Sequence, residues 1–166
     1  IQSGSDLIII ADTLNNQSGS VINHGGSNSQ LNIINDIQNE RGIIEFASHQ
    51  ASINVDTLIN AGGSVNALGA SLVIDSQVID NGENGQITAL QALTLNSQTI
   101  DSAGTISAQN LVVATGSLNN SGDLQAQTLE LDAFVVNNSG NILSQNATIS
   151  TEILVNSGVL QALVSG

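Results

Sequence analysis

The chain has 166 residues, 40% of them apolar, with two Phe and no Tyr, Trp, Pro, Cys or Met. A single basic residue, Arg41, stands against 14 Asp and Glu, a net charge of −13 at pH 7. A field of that sign repels phosphate backbones and anionic lipid, which argues against nucleic acid or a membrane surface as partner. The apolar content argues against disorder, and the absence of cysteine against a disulfide framework.

From the amino terminus, the longest apolar run, Leu7–Ala11, is far too short to insert in a bilayer. No signal peptide is recognisable and the chain starts at Ile1 without Met, so it reads as an internal segment of a longer protein. Glycines then recur at Gly19, Gly42, Gly63, Gly85, Gly104, Gly122, Gly140 and Gly158, the last four 18 residues apart. Two residues after each stands an aliphatic side chain: Val21, Ile44, Val65, Ile87, Ile106, Leu124, Ile142 and Leu160. Two further on stand Asn23, Phe46, Ala67, Ala89, Ala108, Ala126, Ser144 and Ala162, mostly small, as an inward position near a corner requires.

Between glycines lies an apolar pair at alternate positions: Leu7 and Ile9, Leu31 and Ile33, Ile53 and Val55, Leu72 and Ile74, Leu93 and Leu95, Leu111 and Val113, Leu129 and Leu131, Ala147 and Ile149. Glycine to pair takes 12 residues after Gly19, 11 after Gly42, 9 after Gly63, 8 after Gly85 and 7 thereafter. The extra residues, His24–Ser29 and Ala47–Ala51, are expected to bulge from one edge of the first coils, and Asp80–Gly85 lengthens a turn.

Each repeat thus carries three short apolar segments separated by Asn, Ser, Gly, Asp and Gln, the pattern of three strands joined by turns. A unit this small buries its apolar side only by stacking on its neighbours. The expected fold is all-β: one parallel β-helix over 1–166 of about eight coils, longer over 1–85 and regular over 86–166. A six-residue march through Ile100, Ile106, Val112, Leu118 and Leu124 suggests a left-handed hexapeptide helix. It then meets Glu130 and Thr148, which an apolar interior does not accept unpaired.

The repeat Leu118-Asn-Asn-Ser-Gly-Asp-Leu-Gln-Ala-Gln-Thr-Leu-Glu-Leu131, with Ile59-Asn-Ala-Gly-Gly-Ser-Val65 and Val136-Asn-Asn-Ser-Gly-Asn-Ile142, resembles the filamentous haemagglutinin repeats of bacterial two-partner secretion exoproteins. That family includes adhesins and contact-dependent growth inhibition proteins. The resemblance implies a right-handed parallel β-helix, secreted to the cell surface of a Gram-negative bacterium through an outer-membrane two-partner secretion pore. The pore would act on a region absent here, since the Asn-Pro motifs of the secretion domain need a proline that this chain lacks.

Three groups of residues are candidates for function. Asn16, Asn39, Asn60, Asp101, Asn119 and Asn137 occupy nearly the same turn position and read as a ladder of side-chain amides bonded to turn backbone. Asp56, Asp75, Asn96 and Asp132 follow the alternate pair as a polar column, but the calcium-binding Gly-Gly-x-Gly-x-Asp repeat is absent. His24, Asn28, Gln30, His49 and Gln50 lie in the bulged loops 23–30 and 46–52, where a receptor or glycan would be met. Two histidines without a third ligand do not make a metal site, so neither metal nor cofactor is expected. With one Arg and no aromatic platform for sugar, the chain does not read as an enzyme. The expected role is a rigid extracellular shaft presenting a distal tip, with the bulged loops as the alternative, a binding module.

Overall fold

A computed structural model describes residues 1–69 and 71–162. These residues form sixteen strands and no helix: β1 (Gln2–Ser3), β2 (Ile8–Asn15), β3 (Ser20–Asn23), β4 (Asn28–Gln38), β5 (Ile43–Phe46), β6 (Gln50–Asn54), β7 (Thr57–Ile59), β8 (Ser64–Ala67), β9 (Ser71–Asp75), β10 (Val78–Asn81), β11 (Gln86–Ala89), β12 (Ala92–Ser102), β13 (Thr105–Asn120), β14 (Asp123–Asn138), β15 (Asn141–Asn156) and β16 (Val159–Ala162). Every pairing is parallel and joins one coil to the next, so the chain winds as a parallel β-helix with three faces.

The first face carries the aliphatic residue two after each glycine. Val21, Ile44, Val65, Ile87, Ile106, Leu124, Ile142 and Leu160 are in register down it. The third face stacks Leu14, Ile37, Leu58, Ile79, Ile100, Leu118, Val136 and Leu154. Between them, the second face stacks Ile9, Leu31, Ile53, Ile74, Leu95, Val113, Leu131 and Ile149. Alternation along each strand turns these side chains inward and their polar neighbours outward. The result is one continuous aliphatic core in which Phe46 is the largest buried side chain. In the last described coil the inward columns stay open at Leu154 and Leu160, because no described coil stacks on them.

The hexad march breaks where the sequence says it should. Leu129 and Leu131 are buried and Glu130 between them is exposed, so the flanking residues face the core.

The second face corrects the sequence reading in two coils. The inward pairs are Ser29 with Leu31 and Ala51 with Ile53, two residues earlier than Leu31–Ile33 and Ile53–Val55. A slip of two preserves inward parity, so alternation alone does not detect it. Ile33 and Val55 are also buried, one step nearer the next corner. Counted from the true register, the bulged corners are shorter than expected, 10 residues from Gly19 to Ser29 and 9 from Gly42 to Ala51. The remaining extra residue sits at the following corner, where β4 is irregular against β2 and Ala11 and Thr13 face Ile33 and Asp36.

The glycines are dictated by packing. From Gly42 onward, a Cβ at these positions would overlap a backbone carbonyl oxygen of the coil beneath: Asn16 under Gly42, Asn39 under Gly63, Gly104 under Gly122. Backbone stacks on backbone at this corner and leaves no room for a side chain.

Candidate functional site

Both bulged loops are organised by one side chain that the sequence reading treated only as a small corner residue. Asn23 is fully buried, and its Oδ1 accepts from the backbone N–H of Ser48 at 3.0 Å. Its Nδ2 donates to Gly25 O at 2.6 Å and to Ser5 O. Asp6 completes the support: Oδ1 accepts from the N–H groups of Ser27 at 2.6 Å and Asn28 at 2.9 Å. Ser48 is buried as well and donates its hydroxyl to Gln50 O at 2.8 Å. Such buried polar groups hold a loop in one shape only when their partners are all present. The signal available in the sequence was an Asn in a column otherwise filled by Phe, Ala and Ser.

The loops stack directly. His49 N–H donates to Gly26 O at 3.3 Å and Gln50 N–H to Ser27 O at 3.1 Å. Asn28 is thereby in register with Gln50, and Gln30 with Ser52. Asn28, Gln30 and Gln50 line one shallow depression of about 290 Å³ with Ser52 and Val73. His24 and His49 are exposed but are not in one column: His24 follows Asn23, whose register partner is Phe46, whereas His49 sits over Gly26. The structure therefore joins the three amides and leaves the two histidines out of that depression. Among the described residues no group of three or more His, Cys, Asp or Glu is placed to hold a metal. Amides alone supply paired donors and acceptors for a polar ligand.

The turn ladder splits into two columns, a correction to the expected set. Asn16, Asn39 and Asn60 are buried, and their column continues through Asn81, Ser102, Asn120, Asn138 and Asn156. Each Nδ2 donates to the next Oδ1: Asn16 to Asn39 at 2.6 Å, Asn39 to Asn60 at 2.8 Å, Asn60 to Asn81 at 2.9 Å. The second proton goes to a backbone carbonyl of the same next coil, just past its glycine, as from Asn60 to Gln86 O at 3.0 Å. Asp101, Asn119 and Asn137 belong to a separate outward column, in which Asn119 donates to Asp101 Oδ1 at 2.6 Å and Asn137 to Asn119 Oδ1 at 2.8 Å. The columns were merged because counting back from the glycine assumes a turn of constant length. Asn16 stands three residues before its glycine, Asn81 four and Asn120 two.

The polar column of the second face is likewise Asn32, Asn54, Asp75, Asn96, Ala114 and Asp132. Asp56 stands two residues outside it, for the same two-residue slip. A groove of about 690 Å³ runs beside this column, with Asp56, Asp75 and two exposed isoleucines, Ile10 and Ile34, on its walls. Ile34 faces outward by strand alternation, one residue after the buried Ile33.

Compared with known protein families, curated proteins and solved structures, the chain matches none.

Proposed function

We propose that this β-helix is a stretch of rigid extracellular shaft from a secreted bacterial exoprotein of the filamentous haemagglutinin kind, an adhesin or contact-dependent inhibition effector that presents a distal tip to target cells. The observation that carries this reading is the continuity of three parallel ladders and one aliphatic core from the first described coil to the last. Each coil contacts only its neighbours and adds about 4.8 Å along the axis, so length comes from repetition and stiffness from in-register pairing. The composition suits export through an outer-membrane pore followed by folding outside the cell. With no Cys and no Pro, the chain has neither disulfide nor prolyl isomerisation steps to delay it, and each coil templates the next.

A second reading is favoured by the depression shared by Asn28, Gln30 and Gln50. On that reading the bulged corner itself binds a target-cell receptor or glycan. The two separate by experiment. Both corners are shortened to the form of the later coils, with Asn23→Ala and Phe46→Ala to match Ala67 and Ala89 in the same column. Labelled parent and variant are then titrated onto Gram-negative and epithelial cells. The shaft reading expects no saturable binding by either form; saturable binding lost in the variant transfers recognition to the corner.

A further inference from the structure

The sequence contains the dipeptide Asn-Gly twice within one turn, at Asn81-Gly82 and Asn84-Gly85. The two asparagines are held differently. Asn81 is buried in the amide ladder: its Oδ1 accepts from Asn60, and its Nδ2 donates to Ser102 Oγ at 3.3 Å and Thr105 O at 3.2 Å. Asn84 is exposed at the tip of the turn, with φ at 59°, and its side chain makes no hydrogen bond among the described residues. The residue after it cannot be other than glycine, because a Cβ on Gly85 would overlap Asn60 O of the coil beneath. The position of Asn84 itself favours Gly or Asn, the residues that tolerate the left-handed region. Stacking and turn geometry together thus place an exposed asparagine side chain directly before a buried glycine, which has no side chain of its own to hinder attack by its nitrogen.

We propose that Asn84 is a site of spontaneous, non-enzymatic deamidation and that Asn81 is protected from it by the ladder. The Gly85 backbone nitrogen loses its proton to solvent base and attacks Asn84 Cγ. A new N–Cγ bond closes a five-membered imide as the Cγ–Nδ2 bond breaks, and Nδ2 takes a proton from solvent and leaves as ammonia. Water then opens the ring at either carbonyl to give aspartate or isoaspartate, with no redox co-reactant. Reaching this geometry at Asn84 requires only a local opening of the turn, which is closed by the Gly85 N–H to Gly82 O bond at 2.9 Å. At Asn81 it requires rupture of the three side-chain hydrogen bonds given above. The product adds a negative charge to a chain already at −13. In the isoaspartate form it also adds a backbone carbon where Gly85 packs on the coil beneath.

The folded chain is incubated at mildly alkaline pH and mapped by peptide mass spectrometry with enzymatic isoaspartate labelling, beside the same chain in concentrated urea and an Asn84→Gly variant. Gly62 holds the equivalent left-handed position one coil earlier, at φ 64°, so the variant is expected to fold as the parent does. Conversion in the folded chain is expected at Asn84 on the order of a hundredfold faster than at Asn81, the difference falling to a few-fold in urea. Isoaspartate labelling should vanish from this turn in Asn84→Gly. Equal rates at the two positions in the folded chain, or conversion at Asn84 in urea but not in the fold, would overturn the proposal.

Discussion

The first four glycine corners and the last four solve one problem in two ways. In three of the early coils the corner is a self-contained turn: the glycine N–H returns to the carbonyl of the ladder asparagine in its own coil, Gly19 to Asn16 at 3.0 Å, Gly42 to Asn39 at 3.0 Å and Gly63 to Asn60 at 3.3 Å. In all four, the residue before the glycine takes a left-handed conformation, as Ser18, Arg41, Gly62 and Asn84. In the late coils the turn is shorter and its N–H groups reach the coil beneath instead. Ser121 and Gly122 both donate to Ser102 O, and Ser139 and Gly140 both donate to Asn120 O. Early corners are therefore closed within a coil in addition to being bonded between coils, as by Ser18 N–H to Glu40 O and Arg41 N–H to Ala61 O, both at 3.1 Å, whereas late corners have only the bonds between coils. That explains why the early part tolerates changes of coil length and the late part keeps a strict period. It also implies that damage should stay local in the first part and spread in the second.

The strongest way to break that contrast is a charge in the core. Ile142→Asp places a carboxylate where the side chain is 1% exposed, at an expected cost of about 4 kcal/mol or more. With the late corners bonded coil to coil, hydrogen exchange should lose protection together from residue 123 to 162 while residues 1–85 keep theirs. Ile44→Asp, equally buried, should open fewer flanking coils. If both variants lose protection over the same number of coils, the corner bonds do not govern cooperativity.

A smaller effect separates members of the glycine column. Gly122→Ala drives a methyl group into Gly104 O of the coil beneath, for which backbone must move, and is expected to cost about 3 kcal/mol. At Gly19 the nearest atom to such a methyl is the end of the Asn16 side chain at 2.8 Å, and no backbone overlap arises. Gly19→Ala should cost about 1 kcal/mol in a urea titration. Comparable losses at the two positions would show that overlap with the coil beneath does not fix the column.

What was legible in the sequence follows from the same distinction. The inward columns could be read because strand alternation has a period of two and the apolar residues keep it in every coil. The glycines could be read because stacking forbids any other residue in most coils. The amide column was misassigned after Asn60, since it was counted from the glycine, and the turn between the two changes length. Counting from the asparagines finds it, with steps of 23, 21 and 21 residues from Asn16 to Asn81 and 18 from Asn120 to Asn138 and Asn156. The role of Asn23 was hidden for another reason: its partners, Ser5, Gly25 and Ser48, are loop groups on three coils. No local pattern announces that convergence.

The least disruptive change tests the junction between the two regions. Ser102 is the one member of the amide column that is not asparagine, and it stands where the turn shortens. Its hydroxyl lies 3.3 Å from Asn81 Nδ2, and beyond it Asn120 Oδ1 is buried with no hydrogen-bond partner among the described residues. A serine is too short to continue an amide ladder, so the interruption coincides with the change of corner type. Ser102→Asn restores the length found at Asn120 and Asn138, in coils whose glycine stands at the same two-residue distance. Its Oδ1 would accept from Asn81 and its Nδ2 would donate to Asn120 Oδ1. Satisfying that acceptor and adding one side-chain hydrogen bond should stabilise the fold by about 1 to 2 kcal/mol. Tm should rise by roughly 2–8 °C, and any separation between the unfolding of the early and late coils should narrow, because the ladder would then run unbroken. A lower Tm would mean that the serine relieves a mismatch between the two corner types, and that the interruption is needed where one becomes the other.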